Sequence, residues 1–254
     1  MRDDESGWIG LHPGELYFVW RELECGELPT SLGIPHVGRT SRTRAELART
    51  VSESLRERGL GTVDEPAPDL VALLHTFVDS DLRFDVEIDG VGDSFRAVTG
   101  RRGDTAVSIG VSGGEVRLGP VRDTAMIAGL FDTLSPLPVA RGWTANLRLT
   151  DFREACAVGE SEGPAGFNDV LRSAGLRPPE VQTLSRAVGE RTGGGQFGGS
   201  VYTDGDWQRV NNVLSWVDTA VTRYVLRSDD EWLTVTPVDV AQLRSMAHEL
   251  AATL

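Results

Sequence analysis

Two stretches of the sequence share one pattern, and this internal repeat constrains the fold more than any other feature. Both open with Asp-Thr-Ala-Val, at Asp104 and at Asp218, and both run through a strand, a turn and a second strand to a Pro-Val pair, at Pro120 and at Pro237. The offsets are 114 residues (218−104) and 117 residues (237−120), which predicts a turn region three residues longer in the second copy. A repeat of this length is typical of a duplicated supersecondary unit.

Each copy predicts a helix, about four strands and a further helix. Residues 82–89 alternate apolar and charged side chains, the pattern of a half-buried strand. Because the connections are short, neighbouring strands must be antiparallel, and the fold class is α+β. Pro120 and a capping box at 236–239 are expected to start the closing helices. Strands are predicted at 82–89, 94–99, 107–111 and 116–118, and at 200–203, 211–217, 221–227 and 232–236.

The sequence outside the repeat completes the predicted organisation. It divides into an N-terminal segment (1–65), a first repeat half (66–135), a linker (136–165) and a second repeat half (166–254). The N-terminal segment carries helical patterns at 15–23 and 43–58. Composition predicts a flexible exposed loop at 159–166, and a flexible glycine-rich approach to a strand at 191–199.

Charge and composition exclude several classes of function. The net charge is −13, and all 25 basic residues are arginine, which argues against a nucleic-acid partner and, less strongly, against an anionic membrane. No apolar run has the length of a signal peptide or a membrane span, so a cytoplasmic location without membrane insertion is expected. Cys25 and Cys156 are expected to be free thiols, because two cysteines make no disulfide framework.

Fragments that match catalytic motifs lie in the wrong context. Residues 110–114 fit G-x-S-x-G, but that motif needs a helix after the turn, and here a strand follows. Residues 193–198 fit G-x-G-x-x-G, but a helix precedes them and a strand follows, the reverse of a dinucleotide site. A phosphate-holding loop there is the weaker alternative. The four histidines have no metal-ligand spacing, so the sequence predicts no enzyme, cofactor or metal.

The strands of the two copies differ in the faces that they turn outward. Those of the first copy have a polar outer face, whereas those of the second carry apolar side chains on both faces. Either helices or the other half cover both faces, or an exposed apolar patch marks a protein partner. Aromatic residues are the expected anchors of such a contact. The candidate partner-binding residues are Phe197, Tyr202, Trp207, Trp216, Tyr224 and Trp232.

Two regions of the sequence resemble the EspG family, the chaperones associated with ESX (type VII) secretion in actinobacteria. The C-terminal region contains GGGQFGGSV, VLSWVDTAVTRYVLR and EWLTVTPVDVAQLRSMAHEL, and residues 15–60 resemble the family's opening helix, LP-containing connector and second helix. The resemblance implies a single domain over 1–254, with a central antiparallel sheet, flanking helical bundles and a quasi-twofold relation between the halves. It also implies a binding surface on the sheet and the C-terminal helical part.

The resemblance further implies a non-enzymatic function. Such a protein binds a specific secretion substrate, a PE–PPE-like helical pair, in the cytosol and keeps it soluble for export. A WXG100-like helical protein is a second partner of the same kind. The alternative is a homo-oligomeric structural protein without secretion cargo, and a homodimer is compatible with both functions.

Overall fold

The structure is a computed structural model, and it describes residues 2–3, 6–38, 40–90, 92–138, 142–210 and 213–254. The helices are α1 (Pro13–Glu22), α2 (Ser41–Glu57), α3 (Pro68–Val78), α4 (Met126–Phe131), α5 (Leu149–Ser173), α6 (Pro178–Gly189) and α7 (Val240–Ala251). The strands are β1 (Arg2–Asp3), β2 (Trp8–Leu11), β3 (Leu82–Asp89), β4 (Phe95–Arg102), β5 (Thr105–Ser112), β6 (Glu115–Arg122), β7 (Ala145–Arg148), β8 (Arg191–Thr203), β9 (Asp206–Arg209), β10 (Leu214–Thr219), β11 (Arg223–Ser228) and β12 (Trp232–Val238). A large antiparallel sheet with helices confirms the α+β class.

The chain divides into two compact units. The first comprises 1–87, 93–130 and 199–210, and the second comprises 88–92, 131–198 and 211–254. In the first unit the strand order is β1-β2-β6-β5-β4-β3, and β9 pairs with the end of β8. In the second unit it is β8-β10-β11-β12-β7. The prediction of one domain with four sequential segments stays a prediction.

Each unit has its own hydrophobic core. In the first, α1, α2 and α3 bury their apolar side chains against the strands, and Trp20 meets Phe77 edge to face with ring centroids 6.0 Å apart. In the second, α5 and α6 contribute Phe167 and Leu184 to a core that includes Tyr224 of β11. Both cores follow from apolar periods of 3.6 in the helices and 2 in the strands.

A buried carboxylate joins the first two helices. Glu15 is the third residue of α1, and its Oε2 accepts a hydrogen bond from the His12 amide (2.7 Å). Its Oε1 accepts from the Ser54 hydroxyl (2.8 Å) and lies 2.6 Å from Nη2 of Arg58. Burial acts to raise the pKa of Glu15, but these hydrogen bonds and the Arg58 charge bring it below its ordinary value.

Replacing Glu15 by glutamine is therefore expected to lower the free energy of unfolding by about 2–3 kcal/mol at pH 7, because Arg58 loses its charged partner. The ion pair stabilises fully above the unfolded pKa of about 4.3, and its contribution is lost as pH falls through the lower folded pKa. Urea denaturation at pH 7 and pH 3 should show the difference between wild type and variant shrinking in acid. Glu46→Gln is the control, because Glu46 forms an exposed ion pair with Arg42; this variant is expected to lower the free energy of unfolding by at most about 0.5 kcal/mol.

The two prolines of the repeat lie in strands, so the prediction that they start helices is wrong. Pro120 of β6 lies opposite Val107 of β5, and Pro237 of β12 lies opposite Tyr224 of β11. On its other side β6 pairs with β2 only up to Leu118, and β12 pairs with β7 only up to Val235. Each proline therefore lies beyond the end of that pairing, where its missing N–H breaks no hydrogen bond between strands. Helix α7 begins at Val240, with Asp239 and Gln242 as its capping box, and α4 begins at Met126 after a 3₁₀ turn.

The three-residue difference between the copies also lies elsewhere than predicted. Pro120 and its opposite residue are 13 apart in sequence (120−107), and so are Pro237 and Tyr224 (237−224), so the hairpins have equal length. The first Asp-Thr-Ala-Val lies at the start of β5, whereas the second spans the end of β10 and the turn after it. The extra residues of the second copy therefore lie before β11. A duplication of the two halves stays a prediction.

Two segments predicted to be flexible are regular. Residues 159–166 lie inside α5, which continues across a kink where Gly163 has φ 76°, a left-handed conformation that glycine adopts without strain. The glycine-rich residues 191–199 belong to β8. Residues 139–141 of the predicted linker and 211–212 of the predicted strand at 211–217 lie outside the described residues.

Candidate functional site

The second unit carries an apolar groove beside its C-terminal helix. The groove has a volume of about 650 Å³. The end of α7 forms one wall, the start of α5 another, and β10–β12 the floor. Its apolar lining consists mainly of half-buried side chains, namely Leu149, Phe152, Val213, Leu226, Met246 and Leu250. Half-buried apolar groups that converge on one groove are typical of a binding surface.

Helix α7 has apolar side chains on two neighbouring faces, and only one of these faces is fully buried. Leu243 and Ala247 are fully buried and dock the helix on the strands. Met246 and Leu250 are four residues apart, so they share a neighbouring face that lines the groove. At the rim, Nη2 of Arg227 lies 3.8 Å from Oε2 of Glu249. The helix therefore buries one apolar stripe in the core and lines the groove with a second.

Trp232 stands at the rim of this groove, and the β11–β12 turn fixes its position. Asp229 Oδ1 accepts hydrogen bonds from the backbone amides of Glu231 (2.9 Å) and Trp232 (2.7 Å), and these bonds lower the pKa of Asp229. The guanidinium of Arg148 lies over the indole, 5.1 Å from the ring centroid. Trp232 remains 39% exposed, which leaves an aromatic surface for a partner.

The first unit presents a second aromatic surface on the β8–β9 hairpin. Tyr202 and Trp207 are opposite one another in the ladder, with ring centroids 5.5 Å apart, and Tyr202 is 50% exposed. The Arg83 guanidinium lies between Trp207 (4.0 Å to the centroid) and Phe77 (4.6 Å). It also donates to the Ser80 hydroxyl (2.9 Å). Burial lowers the pKa of Arg83 to about 10, so the side chain stays charged at neutral pH.

A bidentate ion pair holds the same hairpin to β3. Arg209 donates to both carboxylate oxygens of Asp85, at 2.7 and 2.9 Å, and these bonds raise the pKa of Arg209. In the part of the chain that the structure describes, β9 pairs with β8 alone, so its outer edge is free of a ladder partner. The hairpin is thus held to β3 and carries an aromatic pair in which Tyr202 is exposed and Trp207 is half-buried.

The other three predicted partner-binding residues lie in the core. Phe197, Trp216 and Tyr224 are 0%, 2% and 2% exposed. Phe197 and Trp216 both pack against Phe131, with ring centroids 5.4 and 5.8 Å from it. Elements of the second unit therefore cover Trp216 of β10 and Tyr224 of β11, whereas the groove leaves part of β10–β12 open. A surface contact with a partner is available to Tyr202, Trp207 and Trp232.

Sequence reasoning missed Met246 of the groove and a further exposed aromatic residue, Trp143. Trp143, which is 55% exposed, lies in the proline-containing linker, where no periodic pattern marks a surface. Met246 was missed because one apolar stripe already accounts for α7, namely residues 240, 243, 247, 250 and 254. The i, i+4 pair of Met246 and Leu250 was the signal that could have revealed the second stripe.

The described residues contain no group of three or more His, Cys, Asp or Glu placed to hold a metal ion. Within the same ranges, no helix has both the length and the hydropathy needed to span a bilayer.

Cys25 is buried, which raises the pKa of its thiol to about 11, and Cys156 is also a free thiol with a raised pKa. The G-x-G-x-x-G fragment lies inside β8, and the G-x-S-x-G fragment turns β5 into β6.

Comparisons with known proteins agree with this architecture. The chain is similar to a solved structure, the Mycobacterium tuberculosis type VII secretion system chaperone EspG5 in complex with the PE25–PPE41 dimer. The TM-score is 0.74 with 19% sequence identity, over 97% of this chain and 96% of that chain, so the likeness establishes the fold. No curated protein matches the sequence. The sequence model of the EspG family matches residues 12–249, and the chain therefore belongs to the EspG family.

Proposed function

We propose that this chain is a type VII secretion chaperone, which binds a PE–PPE-like helical pair in the cytoplasm and keeps it soluble for export. The observation that carries the proposal is the open apolar groove between α7 and the strands, in a chain with the fold of EspG5. EspG5 was solved with a PE25–PPE41 dimer bound. An apolar face of a helix fits such a groove through side chains spaced three and four residues apart.

The chemistry of the two surfaces suits a reversible partner. The groove offers aliphatic and thioether side chains, which adapt to the shape of an apolar helix, and Trp232 adds an aromatic anchor at its rim. The hairpin offers Tyr202 and Trp207, held in place by Arg83 and Arg209. Binding and release of a folded helical pair need no bond-making group, so the proposed activity is non-enzymatic.

Two alanine variants, tested separately, assign the contact surface. If Trp232 anchors the partner in the groove, Trp232→Ala lowers affinity for a co-purified PE–PPE pair by about ten- to a hundredfold. If Tyr202 contacts the partner, Tyr202→Ala does the same. Affinities are measured by biolayer interferometry, and unchanged thermal unfolding controls for loss of fold. Wild-type affinity in both variants would remove both aromatic anchors from the proposal.

A WXG100-like helical protein and a second copy of this chain are the two alternatives to a PE–PPE pair. They are the competing occupants of the groove. Size-exclusion chromatography of the chain with each partner separates them, because each complex has a different mass. A stable homodimer that a PE–PPE pair does not dissociate would favour the homo-oligomeric alternative.

A further inference from the structure

A second, smaller pocket of the second unit is lined by polar groups. Its volume is about 440 Å³, within the range of small-ligand sites. It lies along one face of α6, where Pro179, Gln182 and Arg186 follow one another at helical spacing. Trp143 forms the facing wall, and the Thr183 hydroxyl donates a hydrogen bond of 2.8 Å to the Trp143 carbonyl, which holds that wall to the helix.

Tyr224 and Arg186 provide the donors of this pocket. The Tyr224 ring is buried in the core, and the residue still lines the pocket together with Arg186. Burial raises the pKa of Tyr224, and the charge of the nearby Arg186 guanidinium acts in the opposite direction. The phenol is therefore protonated at neutral pH. A protonated phenol can donate its hydrogen to an acceptor in the pocket.

The charge of Arg186 is not neutralised by an ion pair within the described residues. Arg177, by contrast, is bound twice by Glu180, at 2.7 and 3.2 Å, and stacks on Trp143 at 4.9 Å from the ring centroid. Glu190, the C-cap of α6, acts on Tyr224 through its charge but does not line the pocket. An arginine that lines an open pocket is a local positive charge in a chain of net charge −13.

We infer that this pocket binds a carboxylate group, which accepts hydrogen bonds from the Arg186 guanidinium and the Tyr224 hydroxyl. An arginine fork and a phenol match the two oxygens of a carboxylate. Gln182 supplies a further amide donor, and the Trp143 ring covers the aliphatic part of the ligand. The carboxylate belongs either to an acidic side chain of a protein partner or to a free small dicarboxylate, and the inference holds for both sources.

Titration with glutarate tests the pocket directly. We expect a saturable shift of the Trp143 indole N–H signal in ¹⁵N NMR spectra, with a Kd of millimolar order. The signal is assigned by its loss in Trp143→Phe. Glutaramide, which has the same length without the charges, is expected to give no saturable shift. Absence of saturation with glutarate, or equal shifts with glutaramide, would overturn the inference.

Conservative variants assign the donors. Arg186→Gln is expected to weaken glutarate binding by about ten- to a hundredfold, and Tyr224→Phe by about tenfold, because each removes a hydrogen bond to a charged group. Arg172→Gln is the matched control: it removes the same charge from an exposed arginine paired with Asp169, and glutarate binding should be unchanged. Unchanged binding in both pocket variants, or equal weakening in the control, also contradicts the inference.

The source of the carboxylate is read from a second titration. If it belongs to a protein partner, Arg186→Gln also lowers affinity for the PE–PPE pair by about tenfold or more, and glutarate competes with that pair. If it belongs to a free small molecule, affinity for the pair is unchanged while glutarate binding is lost. Both results support the carboxylate site; this second titration rests on the proposed function, because it needs binding of the pair, whereas the glutarate titration tests the pocket whether or not the chain is a chaperone.

Discussion

Alanine in place of Gly194 is expected to leave little folded protein, with a loss of at least about 3 kcal/mol in the free energy of unfolding. Gly194 lies in β8 opposite Val217 of β10. A Cβ added there would lie 2.3 Å from the Trp216 carbonyl oxygen and 3.1 Å from the Val217 Cα, and both are backbone atoms. The clash can be relieved only by moving β10, which carries Trp216 into the aromatic core beside Phe131.

Chemical denaturation monitored by circular dichroism measures this loss. Gly189→Ala is the matched control, because a Cβ at Gly189 in the last turn of α6 meets no atom within 4 Å. That variant is expected to be as stable as wild type or more stable by up to about 1 kcal/mol, since alanine favours a helix over glycine. A Gly194→Ala protein of wild-type stability would show that β8 and β10 are not packed this closely.

Arginine in place of Leu250 is expected to lower affinity for a PE–PPE pair by at least about a hundredfold. Leu250 is half-buried and lines the groove from α7. A bound apolar helix would seal the introduced guanidinium from water without a carboxylate to pair it, and a buried unpaired charge is strongly unfavourable. Isothermal titration calorimetry of purified chain with the pair measures the effect.

The control for this variant is Ser245→Arg, which adds the same charge to an exposed position of α7 outside the groove. Its affinity should remain within about threefold of wild type, with any residual effect reduced by salt. Thermal unfolding of both variants separates a binding defect from a folding defect. If Leu250→Arg folds and binds normally while Ser245→Arg does not, the partner contacts the opposite face of α7.

The sequence correctly predicted the features that depend on neighbouring residues alone, namely strand alternation and the antiparallel pairing of strands joined by short turns. The alternation over 82–89 predicts β3 at its observed bounds, because one face is buried and the other solvated. The short turns predict antiparallel pairing. The helix starts at Pro120 and Pro237 were mispredicted, because a proline also fits a strand where the neighbouring ladder has ended, and only the tertiary structure shows that.

The candidate site was harder to predict, for a physical reason. Apolar side chains on both faces of β10–β12 indicate that both faces are covered, but the sequence does not show whether a helix or a partner covers them. Thus Trp216 and Tyr224 proved to be core, whereas Trp232, three residues after the turn-forming Asp229, stays at the surface. The groove itself depends on how α5 and α7 dock, which is a tertiary property that no local pattern contains.

Multi-angle light scattering of the purified chain, alone and mixed with a PE–PPE pair, tests the central claim most directly. The claim is that the apolar groove serves a helical secretion substrate. It predicts that the mixture elutes as a complex whose mass is the sum of one chain, one PE and one PPE protein, and that Leu250→Arg abolishes this peak. Separate elution of chain and pair at concentrations of tens of micromolar, with the wild-type chain folded, would contradict it.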